Sequence, residues 1–428
     1  MSANAHALHA GNPGNAAGAS AGTRAVPARA RPFDKTQQPT PGWLRLIVGR
    51  DLAPTRAEYD AACAALHDGD PAADALIAWM FEYGPRQSRA LFEQALANGI
   101  ASIPDAPQPL RDFFKAVERT PAWVDFDAIA DGVQFIHRIG PTAAYVLRDL
   151  ALMGGYLLSG FNQPLVMTGA LNKGTAQRVA ETGKWWMDCT EPDGLRRFGA
   201  GFRTTMHVRM VHGLVRRHLG GSDKWDYAQW GLPLNQIDMA STYLGFSVVM
   251  LGGLRKMGIP VTARESRGVM QLWSYACWLM GVDEKWLRLR ETEGVVLLQH
   301  AMMTQSRPDW TTRELGLALS KEPLERTFPR FQAFRRQLEY RKHLSVSQYF
   351  LGSEKMQQLG LPGDVTSWYP LLTLLPRFAG YSSLRLVPGI GGWHARHGRA
   401  AQKAMLASMF GDAEHGVIKP GENHPAHL

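Results

Sequence analysis

Cysteine is scarce in this chain: Cys63, Cys189 and Cys277 are the only three in 428 residues, far apart and in no C-x-x-C or C-x-x-C-H arrangement. That excludes a disulfide framework, a zinc ribbon and covalent haem attachment, and it fits a reducing compartment. No regular polar–apolar alternation runs for six residues and no hairpin turn recurs, which excludes an all-β fold. A repeat of fixed period is absent too, so a solenoid is excluded. No run of seven strongly apolar residues occurs in residues 1–41 that could form a signal-peptide core, and the expected location is cytoplasmic.

Acidic residues are outnumbered, giving a formal net charge of +9, but the excess is unevenly placed. Up to residue 45 five cations (Arg24, Arg29, Arg31, Lys35, Arg45) face one acid (Asp34), and this segment supplies +4 of the total. No polybasic run with interleaved aromatics follows, so no nucleic-acid partner is expected. A peripheral membrane contact through the basic N-terminal segment stays open, and nothing in the sequence fixes the oligomeric state.

What is present is a large apolar inventory, 45% hydrophobic with 13 tryptophans, enough for a large core. Residues 1–41, rich in Ala, Gly and Pro, read as a disordered basic tail, and 412–428 as a flexible C-terminal tail. Between them, 42–411 read as one helical domain. Amphipathic helices are predicted over 57–66, 72–82 and 86–97, closed by Asp68-Gly69, Gly84-Pro85 and Asn98-Gly99. Further helices are predicted over 264–281, 294–305, 322–340, 369–377 and 395–410. Two uncharged runs, Leu150 to Asn172 and Met239 to Leu254, raise the question of membrane spans; the first is interrupted by Gly, Asn, Gln and Pro and the second is short, so both read as core helices. Asn235 with Asp238 resembles a capping box opening the second run. The fold class is all-α.

The stretch 197–219, RFGAGFRTTMHVRMVHGLVRRHL, puts His212 on a helical stripe with Thr205, Val208, Val215 and Leu219. A neutral imidazole on such a face suits the proximal ligand of a buried haem. It is equally open to the reading of a hydrogen-bonded core histidine. Arg209 and Arg216, one turn to either side, could hold a haem propionate or be ordinary surface arginines. His207 is some 140° around the helix from His212 and reads as structural or exposed, while His137 and His300 remain open as distal residues. His394 and His397 lack a carboxylate or cysteine to complete a metal set.

Upstream, 174–190 (GTAQRVAETGKWWMDCT) forms a predicted helix with Arg178, Glu181 and Thr182 on one side. A cation, a carboxyl and a hydroxyl there could bind dioxygen or move a proton, or Arg178 and Glu181 could pair on a solvated face. The two segments together carry a resemblance. R-x-x-x-T at Arg178 and Thr182, then 30 residues to a His within H-x-x-V-R at His212, Val215 and Arg216, is similar to the rubber oxygenase (latex clearing protein) and MpaB-type oxygenase family. LPLNQIDMASTYLGFSVVMLGGLRKMG and the following helix ending in WLMGV share it, over roughly residues 130–300.

The resemblance implies a globin-like helical core holding one non-covalent haem b, with His212 as iron ligand and Arg178 and Thr182 in the pocket. It also implies oxidation or cleavage of a carbon–carbon double bond by dioxygen, as a dioxygenase, in a hydrophobic unsaturated substrate such as an isoprenoid. Latex clearing proteins carry a lysine just before the pocket threonine; Glu181 stands there in this chain, and a carboxylate cannot provide a cation. A haem-binding sensor or carrier without turnover is the alternative from another class.

Overall fold

Gly, Pro, Asp and Thr punctuate the chain at the ends of its apolar-periodic stretches, and each break supplies a helix cap rather than a strand. The structure, a computed structural model, describes residues 25–169 and 174–410, and no strand occurs among them. The expected tail 412–428 and residues 1–24 lie outside the described residues.

Thr55 and Glu58 form a capping box at the start of α1 (Arg56–Ala64). Asp70 caps α2 (Pro71–Tyr83), whose first residue is proline. Gly84, at φ 107°, turns the chain directly into α3 (Pro85–Asn98). After α4 (Gln108–Glu118), Asp125 caps α5 (Phe126–Arg138). The next helix, α6, runs from Thr142–Val146 through a π-helical segment, Leu147–Leu152, into Met153–Gly155. Then follow α7 (Ser159–Met167), α8 (Thr175–Cys189) and α9 (Ala200–Gly220). The second uncharged run becomes α10, composed of Gln236–Leu244, a second π segment Gly245–Val249, and Met250–Lys256.

Thr262 and Glu265 box the start of α11 (Ala263–Leu279), which is followed by α12 (Glu291–Met303) and α13 (Trp310–Lys321). The chain closes with α14 (Gln332–Gln358), α15 (Trp368–Leu386) and α16 (Ile390–Phe410). The expected helix over 322–340 is displaced, because Pro329 and the left-handed Phe331 (φ 53°) start α14 later. The helix expected to stop at 377 continues past Pro376, which sits on an exposed face where water can take the carbonyl it frees. The helices α4, α5 and α13 carried no expectation from the sequence.

At the centre, α5 crosses α11 with Gly132 against Gly268. A Cβ on Gly132 would lie 2.4 Å from the Gly268 carbonyl carbon, so neither position tolerates a side chain. Phe92, Phe113, Phe114, Phe135, Phe202 and Trp273 fill the surrounding core. Trp273, Cys277 and Met280 are buried there. Together α6 and α10 form one wall, with their two π segments in contact. Among the described residues Gln236–Lys256 alone is long and apolar enough to cross a membrane, yet it is 61% buried and belongs to this core.

The expectation of a loose tail through residue 41 is corrected from residue 25 onward. Arg29 is 4% exposed and donates from both Nη atoms to Asp238, at 2.9 and 2.6 Å, from Nη2 also to Gln305 and from Nε to the Thr304 carbonyl. The backbone amides of Ala28 and Arg31 bond to the Ala228 and Met303 carbonyls. An Ala- and Pro-rich strap needs no helical periodicity when its bonds come from its backbone and one guanidinium. Asn235 caps α10 by accepting the Asp238 N–H, but the Asp238 carboxylate serves Arg29 rather than a capping box.

Arg29→Ala should lower stability by about 3–5 kcal/mol, because it leaves the Asp238 carboxylate buried without its cation. Gly268→Ala should cost on the order of 1–3 kcal/mol by driving backbones apart. Urea denaturation measures both; an unchanged midpoint in either variant would show that its contact carries no stability.

Candidate functional site

The site is built on the hairpin of α8 and α9. Near the turn, Thr204 Oγ1 donates to Asp188 Oδ2 at 2.8 Å and Trp185 Nε1 donates to Thr205 Oγ1 at 3.0 Å. Residues descending along α8 thus meet residues ascending along α9, so the helices run antiparallel. Trp185 packs on Phe246 and Trp273, with ring centroids 5.3 and 5.6 Å away, which fixes this end of the pair. Arg178 lies seven residues from Trp185 and His212 seven from Thr205, about 10 Å along each axis. Each side chain thus lies about two turns from the Trp185–Thr205 contact along its own helix.

His212 has no hydrogen-bond partner among the described residues, and its Nδ1 is fully enclosed. Desolvation, with a smaller contribution from the Arg216 charge, pushes its pKa down to about 4, against a small opposing pull from Asp70. The ring nevertheless keeps some accessible surface, as do Val208, Val211 and Val215 beside it. A desolvated ring with surface left over faces an internal space rather than bulk solvent. An unpartnered neutral imidazole set among valines fits one axial position of a flat, apolar, metal-centred group.

Across from it, Arg178 is half-buried and makes no hydrogen bond or ion pair among the described residues. Desolvation lowers its pKa, while Tyr156 and Glu181 favour its charge. The solvated Arg178–Glu181 ion pair that the sequence left open is thus absent. Glu181 accepts from Gln177 Nε2 at 3.1 Å, and desolvation raises its pKa against the opposing effects of Gln177 and Arg178. Thr182, one residue on, has an accessible hydroxyl-bearing side chain. The arrangement offers an unneutralised cation, a carboxyl biased toward holding its proton and a hydroxyl on one helix face.

Arg209 and Arg216 do not join them in the way the sequence implied. Arg209 is buried in a bidentate pair with Asp70, at 2.7 and 2.8 Å, with its guanidinium 4.9 Å from the Phe113 ring centroid. Its fork is spent, which corrects its expected cofactor role. Arg216 gives Nε to Asp74 at 2.7 Å, and only its buried Nη2 is left without a partner. Both arginines tie α9 to α2 behind the site.

His137 is held by the Thr190 carbonyl at 2.7 Å, His207 by Glu93 at 2.9 Å, and His300 lies 3.9 Å from Glu58. None of the three faces His212 from the distal side. His397 bonds the Trp393 carbonyl and His394 packs against Tyr381.

Sequence reasoning missed two polar groups of this neighbourhood. Tyr156, buried with its pKa pushed up to about 12, interacts electrostatically with both Arg178 and Arg148. Asn162 is fully buried with its Oδ1 unpartnered. Both sit in the uncharged run 150–172, where the apolar background concealed them. Trp185 had a usable signal, since it falls seven residues after Arg178 and three after Thr182, on the same face.

A further buried network, Arg148, Asp149, Glu322, Arg326 and His343, adjoins Tyr156. Arg148 bridges Asp149 and Glu322 at 2.5 and 2.9 Å, and His343 Nδ1 lies 2.6 Å from Asp149. No motif spacing connects these positions in the sequence.

Over residues 137–380 the chain matches the family described as ER-bound oxygenase mpaB/B′/rubber oxygenase, catalytic domain. A solved structure described as latex clearing protein in the closed state is similar at TM-score 0.61 and 20% identity, covering 80% of this chain and 91% of that one. At that identity the likeness concerns the fold. No curated protein matches the chain.

In the ligand-free protein, His212 should stay neutral at pH 6. Unfolding then brings proton uptake, so stability is full above the unfolded-state value near 6.5 and falls as pH drops toward 4. Between pH 7 and 5 this amounts to about 2 kcal/mol, on the order expected for such a shift. Urea denaturation of wild type and His212→Phe at both pH values checks it; an equal pH dependence in the two proteins would exclude a buried neutral ring.

Proposed function

The chain belongs to the family of ER-bound oxygenase mpaB/B′ and rubber oxygenase catalytic domains, and from that premise we propose that it is a haem-b-dependent oxygenase. It uses dioxygen to cleave a carbon–carbon double bond in an isoprenoid or other unsaturated lipid, with His212 as the iron ligand. The observation that carries this reading is the unpartnered imidazole of His212, set among valines on the helix antiparallel to the one that carries an unpaired Arg178. Because Nδ1 is enclosed, the ring would meet a metal through Nε2.

Bound haem supplies an iron at which dioxygen is taken up and activated. The chain's own residues do the rest. His212 is neutral well below physiological pH, so no proton has to leave before its ring nitrogen coordinates. Val208, Val211 and Val215 keep water from the coordinating face. On the other helix, the desolvated Arg178 guanidinium, to which no carboxylate is hydrogen-bonded among the described residues, stabilises negative charge that develops on oxygen. Glu181, with its raised pKa, holds and returns a proton at its carboxyl oxygen, and Thr182 donates a hydrogen bond. Addition of both atoms of one dioxygen across one double bond yields two carbonyls with no net demand for electrons. Glu181 in the place of a lysine leaves this position without the amine that a lysine would offer there.

Purified protein should contain haem b near one equivalent by its Soret band and pyridine hemochromogen, and His212→Ala should lose it. Arg178→Ala should keep the haem while turnover of squalene, read as carbonyl products bearing label from ¹⁸O₂, falls about 10²–10³-fold. A wild type without haem, or His212→Ala with full haem, would sink the assignment. Haem binding without any labelled product would favour the sensor or carrier reading.

A further inference from the structure

The outer face of α15 is apolar and uncovered. Leu371, Leu375, Phe378, Ser382 and Leu386 recur at helical spacing, with Leu372 and Ala379 beside them, and no charged residue falls on this arc. Leu375 is 71% and Leu386 82% exposed. The face continues past the helix end into Val387 and then Trp393 of α16, both exposed. Single exposed leucines need no explanation, but a contiguous row of this length does.

The charges around it have one sign. From Val365 to Phe410 the chain has Arg377, Arg385, Arg396, Arg399 and Lys403 and no carboxylate. Two carboxylates from elsewhere enter this region, and each is shared by two cations. Glu265 takes both Arg138 and Arg385, and Glu191 takes both Arg399 and Lys403. Each group therefore keeps one positive charge in excess, while Arg377 and Arg396 have no ion-pair partner among the described residues.

We propose that α15 and the turn into α16 are the surface by which this protein docks on an anionic lipid bilayer. The apolar arc enters the acyl boundary, and the exposed Arg385, Arg396 and Lys403 meet the headgroups, while Arg399 is buried and adds only its charge. Other occupants fit less well. A second copy in a two-fold arrangement would bring this acid-free region against itself, like charge on like. A nucleic acid offers nothing to an arc of leucines. The chain's own residues 1–24 and 411–428 contain too few large apolar side chains to cover the arc, with Leu8, Val417, Ile418 and Leu428 their only aliphatic ones beyond Ala and Met. The N-terminal strap is a poorer membrane anchor than the sequence implied, since Arg29 is spent on Asp238. This inference does not rest on the oxygenase reading, and vesicle binding can hold or fail whatever the haem content.

The test is flotation of the full-length protein with vesicles of phosphatidylcholine alone or with a quarter phosphatidylglycerol, for wild type and Leu375→Glu/Phe378→Glu. Both substituted side chains are solvent-exposed, so circular dichroism and thermal midpoint should be unchanged. Wild type should bind the anionic vesicles and bind less in 0.5 M salt, and the double variant should bind at least about tenfold more weakly. Equal binding by the two proteins would overturn the proposal. So would a wild-type dimer in lipid-free solution that the double variant dissolves, with no vesicle binding by either; the face would then belong to a second copy.

Discussion

The contact on which the site depends is the one between Trp185 and Thr205, where α8 meets α9. A single hydrogen bond, backed by the packing of Trp185 on Phe246 and Trp273, sets the register of two antiparallel helices. From there Arg178 and His212 each lie about two turns along their own helix. Behind α9, the Arg209–Asp70 and Arg216–Asp74 pairs clamp it to α2. The imidazole thus projects from a helix held at its base and along its back. Such support lets one helix present an unsatisfied polar atom to the interior without rotating to bury it elsewhere.

Those clamps show where sequence reading stops. The helical period of 197–219 was enough to aim His212 inward, and the R-x-x-x-T spacing was enough to put Arg178 and Thr182 together. Arg209 and Arg216 had the same period, but a guanidinium's partner is chosen in three dimensions. Asp70 and Asp74 lie some 140 residues earlier, and no local pattern announces them. The same limit hid Arg148, Asp149 and His343, which come from opposite ends of the domain. Helix ends marked by Gly or by Asp and Thr caps were legible, as at Gly84 and Asn98. Helices α4 and α5 carried no expectation although their periodicity was usable, since Leu110, Phe113, Phe114 and Val117 and then Ile129, Val133 and Ile136 recur at helical spacing and are buried; α13 carried no such reading. Pro376 misled in the other direction, because an exposed proline can remain within a helix when water serves the carbonyl it frees.

The interior is divided between two kinds of polarity. Around His212 and Arg178, polar groups are left without protein partners. Around Arg148 and Asp149, every charge is answered by another, with Glu322 accepting from Arg148 and Arg326. Tyr156 stands between the two regions and feels the guanidiniums of both. A charge-matched network of this kind, in which His343 Nε2 alone of the histidine's two nitrogens is unpartnered, rigidifies its surroundings, and here it lies on the π segment of α6, beside that of α10. The unsatisfied groups therefore sit next to the most constrained part of the wall, an arrangement that preserves their spacing without contacting them.

The Arg29 strap has a consequence for the order in which the molecule can be assembled. Its bonds reach 209 residues forward to Asp238 and 276 to Gln305. A chain emerging N-terminus first must carry this segment unpaired until most of its helices have been synthesised. Closing such a long loop late costs little more entropy than closing a shorter one, but the waiting time is set by the ribosome. A segment made early is thus among the last to settle, and the nascent protein remains open along one seam until α12 has been made.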